Sequence, residues 1–174
     1  MAVTITWYEW TGADTAGWAG NLMTSLNFGS TDAVDLTPAT YPISAGSNSF
    51  HKNVKMQFSG SYTQIDNVRV YKESGTYRTN ELMLFSGSTP WVTPAADATG
   101  YNAIPTTLPI ANVGLKTVGT PSSGTLPRST ETNSSPGYYS GSRTNLMTFQ
   151  STTGSDTEAG ATLQKTIKVT YDIQ

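Results

Sequence analysis

The chain has 174 residues, a net charge of −2, a pI of about 5.2, no cysteine and one histidine. This excludes a disulfide scaffold, a Cys-ligated metal, a thiol nucleophile and a zinc site built on clustered histidines, and the ten scattered Lys and Arg do not make a nucleic-acid-binding patch. Charged residues are only 13%, while Ser and Thr number 48, with 16 Gly and nine Pro; nine Tyr, five Phe and four Trp remain to build a core, so the composition is that of short strands joined by polar loops.

Residues 3–10, VTITWYEW, alternate Val3, Ile5 and Trp7 against Thr4, Thr6 and Tyr8, the period of a strand. Residues 11–20 are rich in Gly and Ala and read as a loop carrying Trp18. Residues 21–28 read as a further short strand in preference to a short helical turn, and Pro38 and Pro42 make the next stretch extended and irregular. The chain is organised around Phe50 to Lys72. There Phe50, Val54, Met56 and Phe58 share one parity with Lys52, and His51, Asn53, Lys55 and Gln57 share the other. That pattern predicts a half-buried strand, then a turn at Ser59-Gly60-Ser61, then a second strand through Ile65, Val68, Val70 and Tyr71. The two are expected to pair as a central hairpin, with a bulge at Asp66-Asn67.

Residues 79–86 predict another strand. The stretch 87–137 is a long excursion or arm, with Pro90, Pro94 and Pro105, anchored by Trp91 and Tyr101. Within it, 104–113 suits an edge strand or extended arm, and 114–137 a long loop of the kind that carries function or interaction. Strand resumes within Tyr138 to Gln150, from Arg143 onward, residues 151–160 form a polar hairpin loop, and the last strand, from 161 to the end, alternates through Leu163, Ile167, Val169, Tyr171 and Ile173, with Lys165 the exception. No ten-residue segment has a helical period. The expected fold is all-β: a single-domain antiparallel β-sandwich over 1–174, jelly-roll-like, with seven or eight strands and long Ser/Thr/Pro/Gly-rich loops.

Chemistry is thinly signalled. His51 on a polar strand face reads as a surface or interface residue, and no serine stands out to pair with it. Glu9 among aromatic residues invites an active-site reading, against the plainer one of a charge on the outer face of an edge strand. Asp156 and Glu158 could contribute to a calcium site, although a solvated loop explains them as well. The aromatic residues Trp7, Trp10, Trp18, Trp91 and Tyr101 are the candidate interaction residues, as a sugar-stacking platform or as core and subunit interface. No catalytic residue, cofactor or metal is assigned. Met1-Ala2 lead directly into the first strand and no apolar run reaches membrane-span length, so the chain is expected to fold in a cytoplasm with no membrane partner.

A series of short motifs adds a family resemblance. They are Leu26-Asn27-Phe28-Gly29-Ser30, Pro42 to Phe50 (PISAGSNSF), Phe58-Ser59-Gly60-Ser61-Tyr62, Ile65 to Tyr71 (IDNVRVY) and Gly75. Thr93-Pro94, Ile104-Pro105-Thr106, Gly160 and Tyr171-Asp172 continue the series. In this order they resemble β-rich virion structural proteins of tailed bacteriophages, of the capsid decoration or auxiliary type. The resemblance implies a non-enzymatic virion protein that binds the outer head shell, through the major capsid protein or other virion proteins. It also implies self-association into a homo-oligomer such as a trimer, and assembly in the host cytoplasm. The alternatives are a carbohydrate-binding β-sandwich that takes a glycan and a neck or tail structural protein.

Overall fold

The structure, a computed structural model, describes residues 3–12, 20–87, 91–110, 113, 115–116, 143–158 and 163–173. Among these there are ten strands and no helix: β1 (Val3–Trp10), β2 (Asn21–Leu22), β3 (Lys52–Gly60), β4 (Ile65–Ser74), β5 (Glu81–Ser86), β6 (Asn102–Ala103), β7 (Leu115–Lys116), β8 (Arg143–Thr144), β9 (Met147–Thr153) and β10 (Thr166–Ile173). All pair antiparallel. The large sheet runs β2-β1-β3-β9-β5-β6, with β8 also on β3 and β7 on β8; the small sheet is β10-β4.

The core lies between the sheets. Val54, Met56 and Phe58 of β3 and Met147 and Phe149 of β9 meet Ile65, Val68 and Val70 of β4, all fully buried. Phe58 packs edge-on against Tyr171 of β10, ring centroids 5.3 Å apart.

The central pair differs from its prediction. β3 and β4 form where the alternation places them, but they are not hydrogen-bonded to each other: β3 pairs with β1, β8 and β9, and β4 with β10. Both strands are apolar on one face, and burying the two faces against each other requires different sheets. The turn after Gly60 (φ 129°) carries the chain across the core, and the Tyr62 hydroxyl donates to the Phe58 carbonyl at 3.1 Å. The bulge is present: Asp66 and Arg69 lie opposite Asp172 and Thr170, leaving one extra residue in β4, and Asn67 takes a positive φ of 51°.

The polar parity of β3 is also buried. His51, Asn53 and Lys55 are covered, as are Thr148 and Gln150 of β9. Residues 91–98 lie over this face. The Asn53 amide donates to the Val92 carbonyl (2.7 Å), and the Gln150 amide to the carbonyls of Asp97 (2.8 Å) and Ser49 (2.9 Å). An irregular segment has carbonyls that no ladder satisfies, and amide side chains supply the missing donors. His51 is therefore not a surface residue. Its Nε2 lies 3.1 Å from the Asp97 carbonyl, which only accepts, so Nε2 carries the proton.

Other boundaries moved. Only Asn21–Leu22 of the 21–28 stretch is strand; Met23 and Phe28 beyond it turn into the core. β9 continues to Thr153, three residues into the expected polar loop, and β10 starts at Thr166. Residues 104–110 are not strand but an irregular arm with bends at Thr106, Thr107 and Ile110, tied to β5 by Ile104 N–H to the Met83 carbonyl (2.9 Å) and to β4 by Lys72 N–H to the Pro105 carbonyl (2.8 Å). Most of the 114–137 loop lies outside the described residues.

Candidate functional site

Three features of the described residues hold chemistry: a buried ion pair at one end of the core, a cavity between the sheets, and an aromatic–cation stack on the outer face of the large sheet.

The ion pair comes from parity. Glu9 shares its side of β1 with Val3, Ile5 and Trp7, and Lys52 shares its side of β3 with Val54, Met56 and Phe58, so both point inward. Lys52 Nζ lies 2.8 Å from Glu9 Oε1, each side chain about 1% exposed, and it also donates to the Ala33 carbonyl at 2.6 Å. Glu9 is thus not an outer-face charge on an edge strand. Glu9 Oε2 is buried with no partner among the described residues. Burial pushes the Glu9 carboxyl up to about 7; the Lys52 ammonium pulls it down, less strongly, and Asp32 and Asp35 add to the rise.

The cavity has a volume of about 520 Å³. Trp7, Met23, Leu26, Phe28, Met83 and Ile167 make its apolar wall, and Asn27, Gln164, Glu81 and Lys165 its polar groups. Glu81 is fully committed: Oε1 takes Lys165 Nζ at 2.6 Å and Oε2 takes the Arg78 N–H at 2.8 Å. Lys165 also sits 5.1 Å from the Tyr77 ring centroid, as does Lys72.

The wall made by residues 23–28 is pinned by Asp35. Its carboxylate accepts from Thr24 N (2.9 Å), Thr24 Oγ1 (2.8 Å) and Ser25 N (2.8 Å), and Asn27 donates to the Leu36 carbonyl (3.0 Å). Slight burial raises the Asp35 carboxyl, but the hydrogen bonds from Ser25 and Thr24 outweigh it and hold the group below its ordinary value. Asp35 sits at a positive φ of 48°, which strains alanine more than asparagine. Asp35→Ala is expected to lower stability by about 1–3 kcal/mol, and Asp35→Asn by clearly less, in urea unfolding. Equal losses for both would rule out the carboxylate as the pin.

The five candidate aromatic residues are not brought together. Trp7 lines the cavity. Trp10 points to the opposite side of β1 and is 2% exposed, its ring closed over by the backbone at Gly20, where a Cβ would stand 2.7 Å from it. It is therefore packing, not a stacking platform. Above it, the Arg143 guanidinium lies 4.8 Å from the Tyr8 ring centroid and 5.9 Å from that of Trp10, with Lys55 Nζ 5.7 Å from Trp10. Burial pushes the Arg143 guanidinium below its ordinary value. Trp91 and Tyr101 are half-buried and line no wall of the cavity. Trp18 lies outside the described residues.

Asp156 and Glu158 face the turn before β5. Asp156 accepts from the Asn80 amide at 2.6 Å, and Glu158 lies 3.3 Å from Arg78. Among the described residues, no group of three or more His, Asp or Glu is placed to hold a metal ion. The sequence reading missed the two buried Lys–Glu pairs. A signal for one was present: Glu9 and Lys52 are opposite charges on the apolar parity of two strands.

Compared with protein-family models, curated proteins and solved structures, the chain finds no match.

Proposed function

We propose that the chain is a non-enzymatic virion structural protein of a tailed bacteriophage, a jelly-roll-like sandwich that decorates the outer head shell and binds neighbouring copies. The observation that carries this reading is the arm at 104–110. It runs beside β4 of the small sheet, held by the Arg69 side chain on the Ile110 carbonyl (2.7 Å), and presents Leu108 at 56% and Ile110 at 94% exposure. Proline at 105 and 109 restricts the arm before any partner arrives, which lowers the ordering cost of binding. The resemblance of its short motifs, in their order, to phage decoration proteins points the same way. The buried carboxylates Glu9 and Glu81 are each committed to a lysine, an arrangement suited to holding a scaffold rather than moving protons to a substrate.

A second reading, a glycan-binding module, draws on the inter-sheet cavity, where Trp7 offers an apolar ring beside the amides of Asn27 and Gln164. One experiment separates the two. Mass spectrometry of particles purified from the source culture is expected to find the chain in fixed ratio to the shell protein. Leu108→Ser/Ile110→Ser is expected to weaken its binding to undecorated particles at least tenfold without changing its circular dichroism. Absence from particles, together with retention on a polysaccharide column that Trp7→Ala abolishes, decides for the second.

A further inference from the structure

The two sides of the molecule are finished differently. On the β4 side the chain laces the sheets together: residues 102–103 pair with β5, and the arm then bonds to β4 through Pro105, Ile110 and Val113. On the other side, among the described residues, β10 pairs with β4 alone, so its outer edge offers a row of backbone N–H and C=O groups eight residues long. The packing shows the same asymmetry. Ile65, Val68 and Val70 of β4 are fully buried, whereas Ile167, Val169 and Tyr171 of β10 are only half-buried and Ile173 is exposed. Among the described residues, no strand lies beside β10 on that edge.

The sequence of β10 says what fits there. Read outward from Thr170, it is symmetric in character: Val169 and Tyr171, then Lys168 and Asp172, then Ile167 and Ile173. We propose that β10 pairs antiparallel with β10 of a second copy about a two-fold axis at Thr170, joining the two small sheets into one four-stranded sheet. In that register Lys168 faces Asp172 of the second copy, and Asp172 faces its Lys168. Val169 meets Tyr171, and Ile167 meets Ile173, on the face toward the core. Thr170 meets Thr170 on the outer face, at the axis.

The charges are placed for this. Lys168 and Asp172 stand on the outer face, 45% and 49% exposed. Within the chain Lys168 pairs with Glu73, and Asp172 accepts from Asn67 and lies 3.6 Å from Arg69, leaving each with an open side. A lone edge lysine repels an added strand. A lysine matched by an aspartate four residues on repels most strands and accepts its own two-fold mate, which gives specificity as well as attraction.

This interface rests on the self-association part of the function proposed above, and its test is separate from particle binding. Light scattering after size-exclusion chromatography is expected to show a dimer for the full chain. Lys168→Glu and Asp172→Lys each place like charges across the axis twice, and each is expected to weaken the dimer at least tenfold. Mixed one to one, the two variants are expected to form a heterodimer, since both cross-axis pairs are then opposite in sign. The intrachain pairs stay broken in the mixture, so recovery reports the interface alone; circular dichroism confirms that each variant is folded. A monomeric full chain overturns self-association and this interface together. A dimer or larger oligomer untouched by either variant overturns this interface and leaves self-association standing.

Discussion

Lys52→Ala is expected to lower the stability of the protein by about 3–5 kcal/mol at pH 8, the range for removing one partner of a buried ion pair. The size follows from what is left behind. Glu9 stays about 1% exposed, with Oε2 already lacking a partner among the described residues and Oε1 losing the Lys52 ammonium, and the Ala33 carbonyl loses its donor too. Removing both charges is a different experiment. Glu9→Leu/Lys52→Met fills the same space with apolar atoms and is expected to stay within about 2 kcal/mol of the native protein, or to exceed it. Urea unfolding of the three proteins measures this. A loss below 1 kcal/mol for Lys52→Ala would mean that water reaches the pair.

Stability is also expected to rise as the pH falls from 8 to 5, against the usual trend for a protein held by paired carboxylates. The folded protein holds a proton on Glu9 up to about pH 7, whereas the ordinary value is 4.5. Below 4.5 the group is protonated folded and unfolded, and the stabilisation is complete. Between 4.5 and 7 the unfolded chain ionises while the folded one does not, so stability is lost as pH rises; above 7 the loss is complete, at roughly 3 kcal/mol for a shift of this size. Asp35 acts in the opposite sense but in another window: its lowered value gives stability that disappears only as pH falls below its ordinary 3.8. Thermal unfolding at pH 5, 6, 7 and 8 is the measurement, with Glu9→Gln as the control. The rise toward pH 5 should flatten in Glu9→Gln; an unchanged slope would assign it to another group.

Much of the architecture was legible because strand period is a local property. The period of Val3, Ile5 and Trp7 and of Ile167 to Ile173 marked β1 and β10 within a few residues, the apolar run Leu82 to Phe85 marked β5, and Asp66-Asn67 marked the bulge of β4. What was not legible is which strand lies beside which. β3 and β4 follow each other through a short polar turn that reads as a hairpin, and nothing local separates a turn within a sheet from a crossing between sheets. The polar face of β3 failed for a related reason. Asn53 and Gln150 look solvated until residues 91–98, far along the chain, are laid across them with carbonyls to satisfy. The aromatic residues misled in a third way, since Trp7 and Trp10, three apart, fall on opposite faces of one strand, and only Trp7 reaches the cavity.

The pairing of β4 with β10 has a consequence for how the molecule is made. Ile65 is matched with Ile173 and Val70 with Val169, so a ribosome must add about a hundred residues after β4 before its neighbour exists. The β1–β3 ladder can close early, but Ile65, Val68 and Val70 then have no strand to hold them over it. Folding is expected to be slow and to finish late, because distant pairings carry a large closure entropy before they return any contact. The strand that completes the fold also carries the edge through which two copies are proposed to join, so a chain that stops short of β10 can neither finish its core nor enter the dimer.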